Sequence, residues 1–96
     1  MLWEWDASKN RANLRDHGIE FETAILVFSD PLAETVEDPY PNEQRWRTMG
    51  VVGTAAIMVV HTSPELDPES GSEVGRIISA RKLTRRERRH YEEGHV

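Results

Sequence analysis

The sequence predicts an α+β fold in which two N-terminal helices are followed by an antiparallel sheet of about four strands and a C-terminal helix. Three observations support this prediction. Apolar residues recur at helical spacing in residues 21–28, whereas residues 45–60 alternate with the period of two that is typical of strands. In addition, residues 84–87, Thr-Arg-Arg-Glu, have the form of a capping box, which marks the start of a helix.

The two N-terminal helices are predicted from their ends as well as from their periodicity. The first begins after Asp6, whose carboxylate can accept hydrogen bonds from the free amides of the first turn, and it ends at Gly18. The second carries the apolar stripe of residues 21–28 and ends before Asp30 and Pro31.

Four strands are predicted from alternation and turn residues, at residues 32–38, 45–52, 55–60 and 76–81. The third is the most apolar, so we expect it at the centre of the sheet. Residues 3–5, Trp-Glu-Trp, alternate in the same way, and a short fifth strand at the N-terminus is left open. Arg76 and Arg81 have opposite parity on the last strand, so they share a face only if a β-bulge or a strand end intervenes.

The length of 96 residues suits a single domain, expected to span residues 1–96. Residues 63–75 hold two prolines, two glycines and four acidic residues and are predicted to form an exposed acidic loop. The absence of cysteine excludes disulfides, thiolate nucleophiles and cysteine-ligated zinc. The sequence shows neither a signal peptide nor an apolar membrane-spanning segment, so we expect a cytoplasmic protein.

The net charge of −5 is unevenly distributed along the chain. Residues 1–69 hold 5 basic and 13 acidic side chains, whereas residues 70–96 hold 7 basic and 4 acidic ones. Between Arg76 and Arg89 the only acidic residue is Glu87. A locally basic surface of this kind is typical of proteins that bind phosphate groups or an acidic protein, and a solvated helix face is the alternative.

Several short segments form an ordered set along the chain, of which the most specific is residues 76–82, Arg-Ile-Ile-Ser-Ala-Arg-Lys. The other members are Trp3, Glu4, Trp5, Asp6, Lys9, Asn13, His17, Gly18, Phe21, Ala24, Phe28, Asp30, Pro31, Glu43, Gln44, Arg45, Trp46, Gly50, Glu87, Arg88 and Tyr91. In this order and spacing they resemble the BrnT toxins of bacterial toxin–antitoxin pairs, which are related in fold to the RelE ribonucleases. The resemblance covers nearly the whole chain.

The resemblance implies a RelE-like fold and a toxin that cleaves RNA, free or on ribosomes, and inhibits translation without a metal ion or organic cofactor. It also implies neutralisation by a cognate BrnA-like antitoxin with a ribbon-helix-helix half, so that operator DNA is bound only through the antitoxin. No membrane partner is expected. Residues 39–42 depart from the family pattern, because members often carry a histidine there.

Metal-independent cleavage by the 2′-hydroxyl of RNA needs a base, an acid and cations around the phosphorane transition state. The candidate catalytic residues are Lys9, His17, Glu43, Arg45, Arg76 and Arg81, and the candidate RNA-binding residues are Trp46, Lys82, Arg85 and Tyr91. We expect the three arginines to bind the scissile phosphate with help from Lys9, because guanidinium groups stay charged and bind two oxygens. His17 and Glu43 are the expected proton-transfer groups, and His61 is a further candidate.

Structural roles remain as alternatives for several of these residues. His17 precedes the glycine that ends its helix, where an imidazole can serve the last carbonyls. Glu43 and Arg45 are two residues apart on one strand face and can form a simple ion pair. His61 can be a hydrogen-bonded residue at a strand end, and Trp46 can belong to the core.

For the whole protein, the alternative is a non-catalytic module of the same fold that only binds its antitoxin or another acidic partner. A metal site near the C-terminus is not predicted. His90 and His95 are five residues apart, and residues at that spacing do not share a helical face.

Overall fold

The computed structural model describes residues 1–94, so His95, one of the two histidines considered above, lies outside the described residues. The elements in chain order are β1 (Leu2–Glu4), α1 (Ala7–His17), α2 (Phe21–Ala24), a 3-10 helix (Ile25–Ser29), β2 (Glu34–Asp38), β3 (Arg45–Val52), β4 (Ala55–His61), β5 (Glu65–Leu66), β6 (Glu73–Lys82) and α3 (Arg85–Glu93). The predicted α+β class is confirmed. Within residues 1–94, no helix combines the length and the apolar character that a membrane span needs.

The strands form one mixed sheet rather than the antiparallel sheet of four or five strands that was predicted. The order is β1-β6-β4-β3-β2, and β5 pairs with the first residues of β6. Strands β2, β3, β4 and the second half of β6 are antiparallel neighbours, but β1 runs parallel to β6. The parallel pair joins Leu2 to Val74. No hairpin links such a pair, and therefore no local sequence pattern indicates it.

Two segments differ from the expected local structure. The second helix is α-helical only to Ala24 and then tightens into the 3-10 helix, which ends at Ser29 before Pro31. Residues 63–75 contain more strand than expected, because β5 lies within them and β6 begins at Glu73. Gly75 is part of β6 and lies against Trp3, whose ring would be 2.3 Å from an added Cβ. Gly75 therefore allows the close approach of the Trp3 indole and does not form a turn.

One face of the sheet is covered by α2 and the 3-10 helix, and we call it the helix-packed face. Its core consists of Ile19, Phe21, Ala24, Val27, Ile57, Val59, Ile77 and Ala80. Helix α1 lies along the edge of β6, where buried Asn13 donates to the Ala80 carbonyl at 2.8 Å and accepts from the Ala80 amide at 3.1 Å. The amide side chain thus takes the place of a neighbouring strand.

The opposite face carries Arg45, Arg47, Arg76 and Arg81, and we call it the arginine face. Arg47 lies opposite Val60 and Arg81 opposite Met58, on the parity that points away from the helix-packed core. On β6 the register shifts between Ser79, which pairs with Val60, and Ile77, which pairs with His61. The β-bulge at Ile78 reverses the parity and brings Arg76 onto the same face as Arg81.

Helix α3 crosses one end of the arginine face. Tyr91 and Leu83 pack there with Met49 and Met58 in a second, smaller core. The predicted capping box is confirmed, because the Thr84 hydroxyl accepts from the Glu87 amide at 3.2 Å and the Glu87 carboxylate accepts from the Thr84 amide at 2.9 Å. Helix α3 does not cover the other end of the arginine face, around Arg76.

Candidate functional site

Glu43 joins Arg45 and Arg76 at the end of the arginine face that is remote from α3, and we call these three residues the Glu43 cluster. One carboxylate oxygen accepts from Nε and Nη2 of Arg45, at 3.3 Å each, and the other accepts from Nη2 of Arg76. The Arg45 guanidinium also lies 3.8 Å from the centre of the Tyr40 ring. The side chain of Arg76 is 47% exposed and that of Arg45 is 21% exposed. A single carboxylate therefore holds two cations that solvent still reaches.

A surface cavity of 280 Å³ adjoins the Glu43 cluster. Its lining residues are Glu4, Glu43, Thr62, Ser63, Glu65, Val74 and Arg76. Arg76 is the one cation among these residues, Val74 is apolar, and the others present carboxylate and hydroxyl oxygens. Arg76 is therefore the lining residue of this cavity that can bind an anion, beside three carboxylates.

Arg81 is held differently, at the α3 end of the same face. Its Nη1 donates to Glu87 Oε1 at 2.7 Å and to the Lys82 carbonyl at 3.2 Å. Its Nη2 donates to Glu87 Oε2 at 2.8 Å and lies 3.4 Å from Met58 Sδ. Four of the five guanidinium N–H groups thus point at protein atoms. Arg81 consequently fixes the first turn of α3 onto the sheet.

The electrostatics of this pair follow from its two parallel hydrogen bonds. The bonds from Arg81 and the cap at Thr84 lower the pKa of Glu87 to about 2, against an ordinary value of 4.5. The same bonds raise the pKa of Arg81. Both groups are therefore fully charged at neutral pH, and each neutralises the other.

A cleft of 350 Å³ lies between α3 and the arginine face, and we call it the α3 cleft. Its lining residues are Glu34, Val36, Arg47, Met49, Met58, Arg86, Glu87 and His90. The Arg47 side chain is 33% exposed and forms an ion pair with Asp38 at 3.4 Å, in which its buried Nε makes no hydrogen bond. The α3 cleft thus combines two arginines and a histidine with two carboxylates and three apolar side chains, and it is distinct from the Glu43 cluster.

Lys9 and His17 are both exposed and occupy opposite ends of α1. Lys9 lies one turn before Asn13, the residue that contacts the edge of β6, so it borders the sheet near the bulge. His17 is next to Gly18, which shares a cavity with Lys82 at the far end of β6. Six residues of strand, about 20 Å, separate Lys82 from Arg76. The structure therefore does not bring His17 together with the Glu43 cluster.

The four candidate RNA-binding residues do not form one surface. Tyr91 is only 6% exposed, and Trp46 is half-buried on the helix-packed face, opposite His61. Lys82 lies opposite buried Ile57 and so belongs to the helix-packed side, whereas Arg85 is exposed at the start of α3. Of the four, Arg85 alone is exposed beside the arginine face.

Tyr91 is bound within the protein. Its hydroxyl donates to Asp30 Oδ2 at 2.8 Å, and burial together with this carboxylate raises the pKa of the phenol to about 12. The Asp30 oxygen also accepts from the Val51 amide at 2.8 Å. A phenol with this pKa is a poorer acid than free tyrosine, and its ring has little surface on which a base can stack.

His61 is a structural residue of the helix-packed face. Its Nδ1 donates to the Thr62 carbonyl at 2.9 Å, so its Nε2 accepts from the Thr48 hydroxyl at 2.7 Å. The rings of Trp3 and Phe28 meet it edge to face, with centroids 5.1 Å away. Burial lowers the pKa of this imidazole, which is therefore neutral at pH 7.

Three residues of the α3 cleft were missed by the sequence analysis. Arg47 shares the parity of Arg45, which was available as a signal that the two lie on one strand face. Arg86 and His90 are four residues apart and so project from one side of α3. Within residues 1–94, no group of histidine and carboxylate side chains is arranged to hold a metal ion.

The fold and the four arginines on one face define a small α+β protein with a surface suited to phosphate groups. Residues 5–87 match the family described as the ribonuclease toxin BrnT of type II toxin–antitoxin systems. This match spans well over half of the chain, and the chain therefore belongs to the BrnT family. The resemblance drawn from the sequence is confirmed. No curated protein matches the chain.

Proposed function

We propose that this chain is a cytoplasmic endoribonuclease toxin, a single domain of RelE-like fold that cleaves RNA on its arginine face. The observation that carries the proposal is the Glu43 cluster. A carboxylate that two guanidinium groups share resembles, in charge and in its paired oxygens, the phosphate that would take its place. Membership of a family of ribonuclease toxins supports RNA as the source of that phosphate.

In the proposed reaction, the 2′-hydroxyl of one nucleotide attacks the adjacent phosphorus. The new P–O bond closes a 2′,3′-cyclic phosphate, while the bond to the 5′-oxygen of the next nucleotide breaks and that oxygen takes a proton from a water molecule. Arg45 and Arg76 stabilise the negative charge of the phosphorane. Both guanidinium groups are already held in place by Glu43, and cations that are positioned in advance stabilise such a charge most effectively. Glu43, which the phosphate displaces from the two guanidinium groups, accepts the proton of the 2′-hydroxyl, and no metal ion takes part.

The remaining candidates take smaller roles in this proposal. Lys9, at the edge of β6, adds positive charge beside the bound RNA. Arg81 acts as a positioning residue, because its donors hold Glu87 and α3. His17, Trp46, Lys82 and Tyr91 have no part in the chemistry, since they lie at the far end of β6, on the helix-packed side or in the core.

The proposed partner is a cognate BrnA-like antitoxin of ribbon-helix-helix type, through which the complex binds operator DNA. Because the exposed arginines Arg85, Arg86, Arg88 and Arg89 of α3 lie beside the arginine face, an acidic segment of the antitoxin is expected to cover it. Covering the Glu43 cluster excludes RNA directly, which explains neutralisation without a conformational change.

The test combines cleavage in vitro with growth in cells. Purified protein is incubated with RNA in EDTA, with and without ribosomes, and we expect cleavage that Arg45→Ala and Arg76→Ala both suppress. RNA that stays intact in every condition, together with no growth arrest on induction, would overturn the proposal. If the two variants arrest growth as strongly as the wild type, the chain acts as a binding module and not as a nuclease.

A further inference from the structure

Tyr40 is an exposed aromatic side chain that lies against the Glu43 cluster. The chain has seven tryptophan, tyrosine and phenylalanine residues, all in the part that the structure describes. Tyr40 is 40% exposed, whereas Phe21 and Tyr91 are buried and the other four are half-buried. The Arg45 guanidinium lies 3.8 Å from the centre of the Tyr40 ring. The one exposed ring is therefore in direct contact with a cation of the proposed reaction.

We propose that the Tyr40 ring binds one base of the RNA by stacking, in a nucleotide next to the phosphate that Arg45 and Arg76 bind. Aromatic side chains that stack on unpaired bases are a common means of holding single-stranded RNA. This inference rests on the proposed function, because it takes RNA as the ligand. It adds a binding site for a base, and Tyr40 was not among the candidates predicted from the sequence.

Arg45 covers one face of the ring and leaves the rest of it open. The guanidinium lies at the distance of a cation–π contact, and its side chain is only 21% exposed. The exposed surface of Tyr40 therefore belongs to the side of the ring that Arg45 does not cover. A base that stacks on this side extends an existing pair, in the order guanidinium, phenol and base.

The backbone around Tyr40 restricts the ring before any RNA binds. Pro39 and Pro41 flank the tyrosine, and each proline fixes its own φ and restricts the residue before it. The Tyr40 amide also donates to the Asp38 carbonyl at 2.8 Å. A side chain on a restricted backbone loses little conformational freedom when a ligand binds, and this favours affinity.

Arg45 can contact a phosphate and the Tyr40 ring at the same time. Its N–H groups point outward in the plane of the guanidinium, where Glu43 accepts from two of them, whereas the ring lies over the face of that plane. A phosphate that displaces Glu43 therefore does not displace Tyr40. Because one ribose joins the base of a nucleotide to its phosphate, neighbouring groups of one strand can reach both residues.

The carboxylates of this region do not oppose a base. Glu43 lies beside Arg45, and Asp38 precedes the Pro-Tyr-Pro segment, so the surroundings of the ring are not uniformly cationic. A nucleobase is uncharged, and stacking depends on the flat surface of the ring. The proposed site consequently needs an exposed ring next to a phosphate site, and Tyr40 meets both conditions.

A double-mutant cycle between protein and RNA tests the stack. The probes are a 2′-O-methyl trinucleotide, which lacks the attacking hydroxyl, and three forms of it that each lack one base. Tyr40→Leu keeps an apolar side chain but removes the ring. We expect this variant to bind the complete trinucleotide about tenfold more weakly than the wild type does. One of the three abasic forms should bind equally weakly to both proteins, and calorimetric titration measures each Kd.

Two further variants serve as controls for the cycle. Tyr40→Phe restores the ring without the hydroxyl, which makes no hydrogen bond to another described residue, so it should restore the preference for the complete trinucleotide. Leu26→Ala removes a 52% exposed apolar side chain from the 3-10 helix of the helix-packed face, and it should bind like the wild type. Thermal unfolding shows whether each variant is folded.

The outcomes separate this inference from the proposed function. If Tyr40→Leu weakens the complete and all abasic forms by the same factor, the ring only positions Arg45, and the stack is overturned while the nuclease stands. A wild type that cleaves RNA, with a Tyr40→Leu variant that binds the trinucleotide as tightly, overturns it as well. If Tyr40→Leu weakens binding of the cognate antitoxin but not of the trinucleotide, the ring belongs to a protein interface instead.

Discussion

The two ends of the arginine face hold the same kind of side chain in opposite ways. At one end, Arg45 and Arg76 share Glu43, and Arg45 reaches it through long contacts of 3.3 Å. At the other end, Arg81 and Glu87 form two parallel bonds of 2.7 and 2.8 Å, and Glu87 also closes the cap of α3. The first arrangement leaves Arg76 exposed beside a cavity, whereas the second uses its arginine to fix a helix.

The comparison teaches that an arginine's role depends on how its donors are used and not on its place in a motif. Arg76 and Arg81 stand in one short segment, residues 76–82, and the bulge puts them on one face. Nevertheless, one has a 47% exposed side chain beside a cavity, and the other has four of its five N–H groups occupied. Substitutions at the two ends should therefore affect different properties.

The largest effect is expected at the Glu43 cluster. Arg76→Ala should lower the rate of RNA cleavage by a factor on the order of 10²–10³, since it removes one of the cations that stabilise the phosphorane. The free energy of unfolding should change by less than about 1 kcal/mol, because the ion pair is largely exposed. Cleavage of a labelled RNA and urea denaturation measure the two quantities.

Arg15→Ala is the matched control for Arg76→Ala. Arg15 is 74% exposed on α1 and pairs only with its neighbour Asp16 among the described residues, so its loss should leave cleavage unchanged. If Arg15→Ala slows cleavage as much as Arg76→Ala, the effect comes from net charge and the Glu43 cluster is not the site.

The next effect in size is expected at the α3 end and concerns stability. Glu87→Gln should lower the free energy of unfolding by about 2 kcal/mol, because it removes charged hydrogen bonds to Arg81 and weakens the cap of α3. Urea denaturation at neutral pH measures it. A variant as stable as the wild type would mean that the pair does not hold α3.

The pH dependence of stability follows from the same residue. In the folded protein the pKa of Glu87 is about 2, below its ordinary 4.5, so the unfolded chain takes up the proton first. The contribution of Glu87 is therefore fully present above about pH 5 and is lost as the pH falls from about 5 to about 2. The difference in free energy of unfolding between wild type and Glu87→Gln should shrink over that interval, and a constant difference would contradict the assigned pKa.

The parts of the fold that the sequence predicted are those with local signals. The Asp6 carboxylate accepts from the amides of Ser8 and Lys9, Gly18 adopts φ 72°, and Thr84 and Glu87 form the capping box. Each of these features depends on residues within a few positions of one another. The parallel pairing of β1 with β6 depends on residues more than 70 apart, and no local pattern encodes it.

The site was less predictable than the fold, because it depends on contacts between residues that are distant in the sequence. The sequence indicated arginines on the strands predicted at residues 45–52 and 76–81, and strand parity implied that Arg76 and Arg81 face opposite ways. A bulge at Ile78 reverses that parity, and its position depends on how β4 packs against β6. Whether Glu87 or a ligand binds Arg81 depends on where α3 docks, which no spacing in the chain determines.

A moderate effect is expected from salt, and it tests how many phosphates the arginine face contacts. If Arg45 and Arg76 hold one phosphate of a single strand, RNA affinity should fall by a factor of about 2.6 between 50 and 200 mM salt, from a slope of roughly −0.7 for each phosphate. Fluorescence anisotropy with an uncleavable RNA measures this slope. A slope near zero would remove phosphate contacts as the main source of affinity.

The smallest effect is expected from Tyr91→Phe. This substitution tests whether the Tyr91 hydroxyl stabilises the fold or takes part in catalysis. The variant loses the hydrogen bond to Asp30, so the free energy of unfolding should fall by about 1 kcal/mol. Cleavage should be unchanged at every pH at which the variant is folded, because a buried phenol with a pKa of about 12 does not supply the proton. A loss of cleavage at unchanged stability would reverse the assignment and place the acid on α3.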